Sequence, residues 1–346
     1  MNDTRAPAPD RSVTAGTLVV EARGLGKSFD LRRPLAERLL RRDGPRASAA
    51  VQDVSFAIAR GRTLALVGES GCGKTTLARL MVGLEAPTQG SAWIEGVDVQ
   101  ATRAGPAEAA RALRRRMQMI FQDPFASLDP RWRIGDIVAE PLLEQGLILP
   151  AQAGDRVAAL LASVGLAGVD VRRFPHQFSG GQRQRISIAR AIATSPGFLV
   201  CDEPTSALDV SVQAQVLNLL ADLQRERALT MLFISHNLVV VRYVADDVGV
   251  MYLGRLVELA PRGELFGAPR HPYTRMLLAA VPDARGTRRE RAPVQGEVSD
   301  PLAPPPGCAF HPRCPHANER CRVERPQLRD SGTVRVACHA VEEGRL

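Results

Sequence analysis

The most specific chemistry in this chain is carried by eight consecutive residues, Gly68-Glu-Ser-Gly-Cys-Gly-Lys-Thr75. Their spacing, G-x-x-x-x-G-K-T, is that of a phosphate-binding loop. Gly68, Gly71 and Gly73 allow the turns that aim successive backbone N–H groups at one anion. A helix beginning near Lys74 would add its positive N-terminal end at the same point. Lys74 offers a mobile point charge to the β- and γ-phosphates of a nucleoside triphosphate, and the Thr75 hydroxyl can ligate Mg2+. The whole run from Gly68 to Thr76, with Glu69, Ser70 and Cys72 between the glycines, is the expected phosphate-binding segment. Lysine occurs only at Lys27 and Lys74, every other basic residue being arginine. A bulky planar guanidinium would not substitute easily inside such a loop.

Two other stretches complement the loop. Phe198-Leu-Val-Cys-Asp202 is an apolar run ending in an acid, followed directly by Glu203. Asp202 is placed to hold Mg2+ opposite the loop, and Glu203, one residue on, points elsewhere and suits a general base for an attacking water. Phe178-Ser-Gly-Gly-Gln182 opens a helical pattern over Arg183 to Thr194, so Ser179, Gly180, Gly181 and Gln182 would present N–H groups at a helix start. The bland reading of that stretch is an ordinary N-cap. Its position between the phosphate loop and the acid-ended strand favours a second phosphate contact.

These residues need a scaffold, and the rest of the chain describes one. At 346 residues it can hold one large α/β domain with an appendage. Apolar and charged fractions of 45% and 24% are ordinary for a globular protein, and no apolar run reaches the ~18 residues of a membrane span. The formal charge of +8 comes from scattered arginines without an aromatic-interleaved basic patch, which argues against nucleic acid as a partner. Residues 1–16 lack the apolar core of a signal peptide and read as a disordered lead-in, leaving the chain in the cytoplasm. Thr17–Ala22 reads as an edge strand running toward Phe29, residues 31–48 as an exposed excursion, and Val54–Ile58 and Ser91–Glu95 as strands. Gly105–Gln118 is predicted helical, and residues from about 123 to 178 are mainly helical. Thr63–Val67, Phe198–Cys201, Met231–Ile234, Val248–Tyr252 and Arg255–Leu259 alternate with helices, which predicts a mostly parallel, helix-covered sheet. From Pro269 the composition shifts to Pro, His, Arg and Cys, marking a separate small module over 269–346.

In order along the chain, GESGCGKT, Phe121-Gln122-Asp-Pro, FSGGQ, LVCDEP, Ser206-Ala-Leu-Asp209 and Ser235-His236 resemble the motifs of ATP-binding cassette (ABC) transporter ATPase subunits. The resemblance covers nearly the whole chain. It implies an α/β P-loop NTPase core over 17–268, with an antiparallel β subdomain and a helical subdomain. It implies that ATP with Mg2+ is bound between two cassettes. Phe29 would stack on adenine, Gln122 would contact Mg2+ or the water, and His236 would contact the γ-phosphate. Ser179 and Gly181 would cap the ATP held by the other subunit, with Asp209 at the junction. The implied partners are a second ATPase subunit, two transmembrane permease subunits and, indirectly, an extracytoplasmic solute-binding protein, with the chain on the cytoplasmic face of the membrane. A soluble cassette ATPase of DNA repair or translation is the alternative. A GTPase switch is excluded by the missing Asn-Lys-x-Asp motif.

FPHQFS, VMYLGR, His271-Pro-Tyr-Thr-Arg-Met-Leu-Leu278 and Gly307-Cys-Ala-Phe-His-Pro-Arg-Cys-Pro315 are similar to the oligopeptide, dipeptide and nickel importers. Within that group the 31–48 excursion resembles the insert of the second ATPase, and Asn237 replaces the usual Asp. Cys308, Cys314, Cys321 and Cys338 suggest a metal site in a reducing compartment, yet their spacing fits neither a zinc ribbon nor a ferredoxin run. The resemblance implies a [4Fe–4S] cluster, as in some relatives, with zinc and free thiols left as alternatives. Cys72 and Cys201 read as small packing residues.

Overall fold

The computed structural model describes residues 17–30, 47–281, 299–300 and 302–346. The expected lead-in and most of the 31–48 excursion fall outside them. Two sheets form the frame. The smaller has the order β2-β1-β4-β5, built from β1 (Leu18–Asp30), β2 (Ala47–Ala59), β4 (Gln89–Ile94) and β5 (Val97–Asp98), with every pairing antiparallel. β1 was expected at an edge, but it lies between β2 and β4 and pairs with both. It also extends through Phe29, because register shifts between Ala22 and Ser28 let it bend and stay paired.

The larger sheet has eight strands in the order β11-β12-β10-β9-β3-β8-β7-β6. They are β3 (Thr63–Val67), β6 (Met117–Ile120), β7 (Phe198–Asp202), β8 (Thr230–Ile234), β9 (Asp247–Tyr252), β10 (Arg255–Pro261), β11 (Arg329–Ser331) and β12 (Val334–Val336). β9, β3, β8, β7 and β6 are parallel, and β10, β12 and β11 continue the sheet antiparallel. Central strands TLALV, FLVCD and TMLFI are buried at every position, as strands covered on both faces must be. Alternation then sorts their side chains into two cores. Leu64, Leu66, Phe198, Val200, Leu232 and Ile234 pack with the small sheet and with helix α1 (Lys74–Met81). Ala65, Val67, Leu199, Cys201, Met231 and Phe233 pack toward the helices.

Helix α2 (Ala107–Arg116) sends Leu113 into the first core, and the helices of the second include α3 (Ile134–Glu144), α4 (Ala153–Ser163), α5 (Gly180–Ile192), α6 (Val210–Arg227) and α7 (Leu238–Val244). Ile137, Leu142, Leu160, Leu161, Ile186 and Ile192 of α3, α4 and α5 share one core with Val216, Leu220 and Leu223 of α6. The cysteine-bearing stretch, expected as a separate module, is continuous with this body. β12 pairs with β10, and Tyr273 of helix α8 (Pro272–Ala279) and Phe310 are buried in the same core as the helices. No helix among the described residues is long and apolar enough to cross a membrane.

Candidate functional site

The phosphate loop leaves the buried end of β3 and closes onto α1. Gly68 has φ +153, and a Cβ there would meet Met251 O at 2.2 Å. Gly73 has φ +103 and a Cβ would meet Ala50 O at 2.1 Å, so two of the glycines are required by backbone packing as well as by conformation. Gly71, at φ +79, faces open space, and its constraint is conformational alone. Lys74 Nζ donates to Gly68 O at 2.8 Å and Glu69 O at 3.0 Å, and lies 3.5 Å from Cys72 Sγ. The loop therefore holds its own cation curled over its carbonyls. Cys72 is buried, and burial pushes its thiol up from the usual range against the opposing pull of Lys74. Thr76 is half-buried in the first turn of α1.

Parallel pairing places the end of β7 next to this loop. Thr75 Oγ1 donates to Asp202 Oδ1 at 3.2 Å. Asp202 is buried, and burial raises its carboxyl, with the charge of Glu203 adding and Thr75, Arg79 and Lys74 opposing. A hydroxyl beside a desolvated carboxylate is a hard oxygen donor pair that fits Mg2+ and would gain from its charge. Glu203 follows at φ +46, a left-handed conformation for a non-glycine residue that turns its side chain out of the strand's alternation. Its Oε2 accepts from Gln122 Nε2 at 3.2 Å and lies 3.1 Å from His236 Nδ1. Against a carboxylate oxygen, Nδ1 is the nitrogen that carries the proton. Loop, acid pair, Gln122 and His236 thus form one cluster at the carboxyl ends of β3, β6, β7 and β8. Asn237, in place of the expected Asp, caps α7 by accepting from Val239 N and Val240 N.

Ser179 to Gln182 and Asp209 form a second group. Ser179 Oγ accepts from Gln182 N at 3.3 Å and Gln182 Oε1 accepts from Ser179 N at 3.0 Å, a reciprocal capping box opening α5. Gly181 is buried, and a Cβ on it would come 2.2 Å from Val212 Cγ1 of α6, whereas Gly180 would meet Leu208 at an ordinary 3.6 Å. Asp209 caps α6, accepting from Val212 N and Ser211 Oγ, which holds its carboxyl below the usual range. Among the described residues, no hydrogen bond ties this group to the phosphate loop of its own chain. Phe29 stands 37% exposed near the end of β1, with Lys27 Nζ 5.0 Å above its ring.

In the tail, burial pushes up the thiols of Cys308 (to about 12), Cys314 and Cys338, each also feeling its neighbours' charge. Cys308 N donates to Cys321 O at 2.8 Å. The thiols are neighbours, but among the described residues no three His, Cys, Asp or Glu side chains form a set able to hold a metal ion. As arranged, they do not fit a [4Fe–4S] cluster or zinc. Motif reading missed two residues of the same extension. Arg313 donates both terminal nitrogens to the Glu69 carboxylate, at 2.9 and 3.0 Å, and the Tyr273 hydroxyl accepts from Glu69 N at 2.9 Å. Neither lies in a pattern that signals phosphate chemistry.

Fold and cluster together define a cassette-type P-loop ATPase. Residues 51–206 match the ABC transporter family, and residues 257–321 match the oligopeptide/dipeptide transporter C-terminal region. The di/tripeptide transport ATP-binding protein DppF of Pseudomonas aeruginosa is 49% identical over 94% of this chain and 98% of its own length. The dipeptide transport ATP-binding protein DppF of Escherichia coli is 48% identical over 85% and 87%. A solved dimer of the ATP-binding cassette MJ0796, in a post-hydrolysis state with ADP and Pi, shares the fold. It has a TM-score of 0.60 and 24% identity, and covers 70% of this chain and 98% of that one. The chain belongs to the ATP-binding subunits of ABC transporters, in the branch that carries the oligopeptide/dipeptide C-terminal region.

Proposed function

We propose that this chain hydrolyses ATP to drive a peptide importer, as one of two cassettes that share two composite ATP sites. The observation that carries the reading is the convergence on Glu203. A carboxylate aimed out of β7 touches both Gln122 and His236 while its neighbour Asp202 bonds Thr75 of the phosphate loop. In this reading the triphosphate takes the place of the loop carbonyls at Lys74. Thr75 and Asp202, with Gln122 nearby, hold Mg2+, which when bound offsets the phosphate charge. Glu203 accepts the proton of the attacking water, Gln122 orients that water, and His236 faces the γ-phosphate. Phe29 offers its exposed ring to adenine. Ser179 and Gly181 of one cassette close over the ATP of the other, with Asp209 at the junction, so nucleotide joins two chains head to tail.

Peptides as the solute are supported by the family of the C-terminal region and by the names of the relatives. Attachment to the permease subunits at the cytoplasmic face of the membrane is supported by a groove of about 620 Å³ whose lining begins at Phe125, three residues after Gln122 in the chain. Phe125 and Trp132, which line it, are 62% and 44% exposed and stand among Asp129, Arg131, Glu140 and Arg190, a surface of mixed aromatic and charged character open to a partner. An extracytoplasmic binding protein would deliver the solute from the other side. The cassette boundary near 268 and the helical subdomain near 123–178 are part of the same reading. The tail cysteines receive no step. Iron and acid-labile sulfide in anaerobically purified protein would establish a cluster, and absence of both would remove it. Purification from membranes with identification of bound chains tests the main proposal: permease and cassette partners are expected, and a soluble chain bound to DNA or ribosomes would overturn it.

A further inference from the structure

Glu69 is the second residue of the phosphate loop, and it is gripped from three sides. Its carbonyl accepts from Lys74 within the loop. Its N–H donates to the Tyr273 hydroxyl, and its carboxylate receives the paired nitrogens of Arg313. The last two partners come from the C-terminal extension, the second of them 244 residues away. Neither is a casual surface contact. Arg313 has a side chain only 2% exposed, and Tyr273 is fully buried against Tyr252 and Phe310, with ring centroids 4.7 and 5.4 Å apart. Arg313 rides on a single 3-10 turn, His311–Arg313, between Cys308 and Cys314, so its reach is set by the fold of the cysteine segment. A planar fork bound to both carboxylate oxygens fixes orientation as well as distance.

We propose that the C-terminal extension is a positioning element of the ATP site, with Arg313 and Tyr273 holding Glu69 so that the phosphate loop is shaped before nucleotide arrives. This rests on the reading of that loop as the ATP site. The physical basis is preorganisation. The loop binds phosphate through consecutive N–H groups that must all face one point, and a loop free to relax would spend binding energy on being reordered. The chemical step is made by other residues, so loss of the hold weakens binding of ground state and transition state alike. The signature is a raised KM for ATP with kcat nearly unchanged.

The test uses the full chain and a fluorescent ATP analogue displaced by ATP. R313M is expected to weaken ATP binding about tenfold, in line with loss of a charge-assisted bidentate contact whose carboxylate water can partly reach. R313K should recover part of that loss through one remaining hydrogen bond. Y273F keeps the ring in its aromatic cluster, removes only the acceptor of Glu69 N–H, and should cost about threefold. E69Q distinguishes positioning from simple electrostatics. Removing an unrestrained negative charge beside a triphosphate would tighten binding, whereas loosening the hold weakens it. Wild-type affinity in folded R313M and in Y273F, or tighter binding by E69Q, overturns the proposal. If R313M does not fold, Y273F and E69Q decide alone. K74A is the control for the underlying reading: a wild-type chain that binds no ATP, or a K74A chain that binds it equally, brings down both. Loss in K74A with no change in the Arg313 and Tyr273 variants brings down the positioning role only.

Discussion

Gly181 is where a packing demand meets the proposed contact with the γ-phosphate, and substituting it can separate the two. In Gly181→Ala the new Cβ would come 2.2 Å from Val212 Cγ1, with the next nearest Val212 atoms at 3.6 and 3.7 Å. Only one methyl collides, but Val212 is β-branched on a helix and has a single favourable rotamer, so α6 must shift or the side chain must leave its well. Overpacking of this kind costs about 1–3 kcal/mol, against up to ~1 kcal/mol returned by Ala over Gly in a helix. With the full return the net expectation is a destabilisation of up to about 2 kcal/mol, read as a lower urea midpoint at unchanged m value. Val212→Ala removes the colliding methyl from a half-buried site, and the double variant should regain wild-type stability. ATP hydrolysis by the assembled pair of cassettes then reports the second demand. If Gly181 N–H must approach the γ-phosphate across the dimer, the double variant folds normally yet hydrolyses ATP poorly. A Gly181→Ala midpoint equal to wild type would refute the packing argument. Full recovery of turnover in the double variant would show that the glycine serves helix packing alone.

Three further outcomes follow from the geometry. Glu203→Gln preserves the shape that meets Gln122 and His236 but cannot take a proton; hydrolysis should fall about 10²–10⁴-fold while ATP stays bound, and unchanged phosphate release would remove Glu203 as the base. Gly73→Ala places a Cβ 2.1 Å from Ala50 O at φ +103, so ATP affinity should drop at least about tenfold in a nucleotide titration, with near wild-type binding contradicting the geometry. His271 is buried, caps α8 by accepting from Tyr273 N, and is held down to about 3 by burial, against an ordinary 6.5. Between those values the unfolded chain binds a proton that the native one refuses, so stability should fall on acidification below about pH 6.5, by ~1.4 kcal/mol per pH unit. His271→Asn keeps a capping acceptor without titrating, and its unfolding temperature should lose less between pH 6.5 and 5; equal losses would argue against His271 as the acid-sensitive group.

The phosphate loop, the acid pair at the end of β7 and the helix-opening Ser-Gly-Gly were legible in the sequence because each is a local device. Consecutive backbone N–H groups make an anion cradle wherever glycines allow the turns, and an apolar run followed by two acids announces a buried strand and the chemistry at its end. The same locality explains why the sequence could propose two readings of Ser179–Gln182, since a capping box and a phosphate site use the same donors. The tertiary structure alone decided which distant residues meet. Thr75 and Asp202 are 127 residues apart and Gln122 and Glu203 81, and their contacts follow from the strand order β3-β8-β7-β6, which periodicity does not encode. The same holds for the extension. Its composition marked it as separate, yet β12 continues the main sheet, and Arg313 and Tyr273 reach the loop through a core built of residues from both ends of the chain. A side chain's type says what it can bind, but only the packing of the whole sheet determines what stands within 3 Å of it.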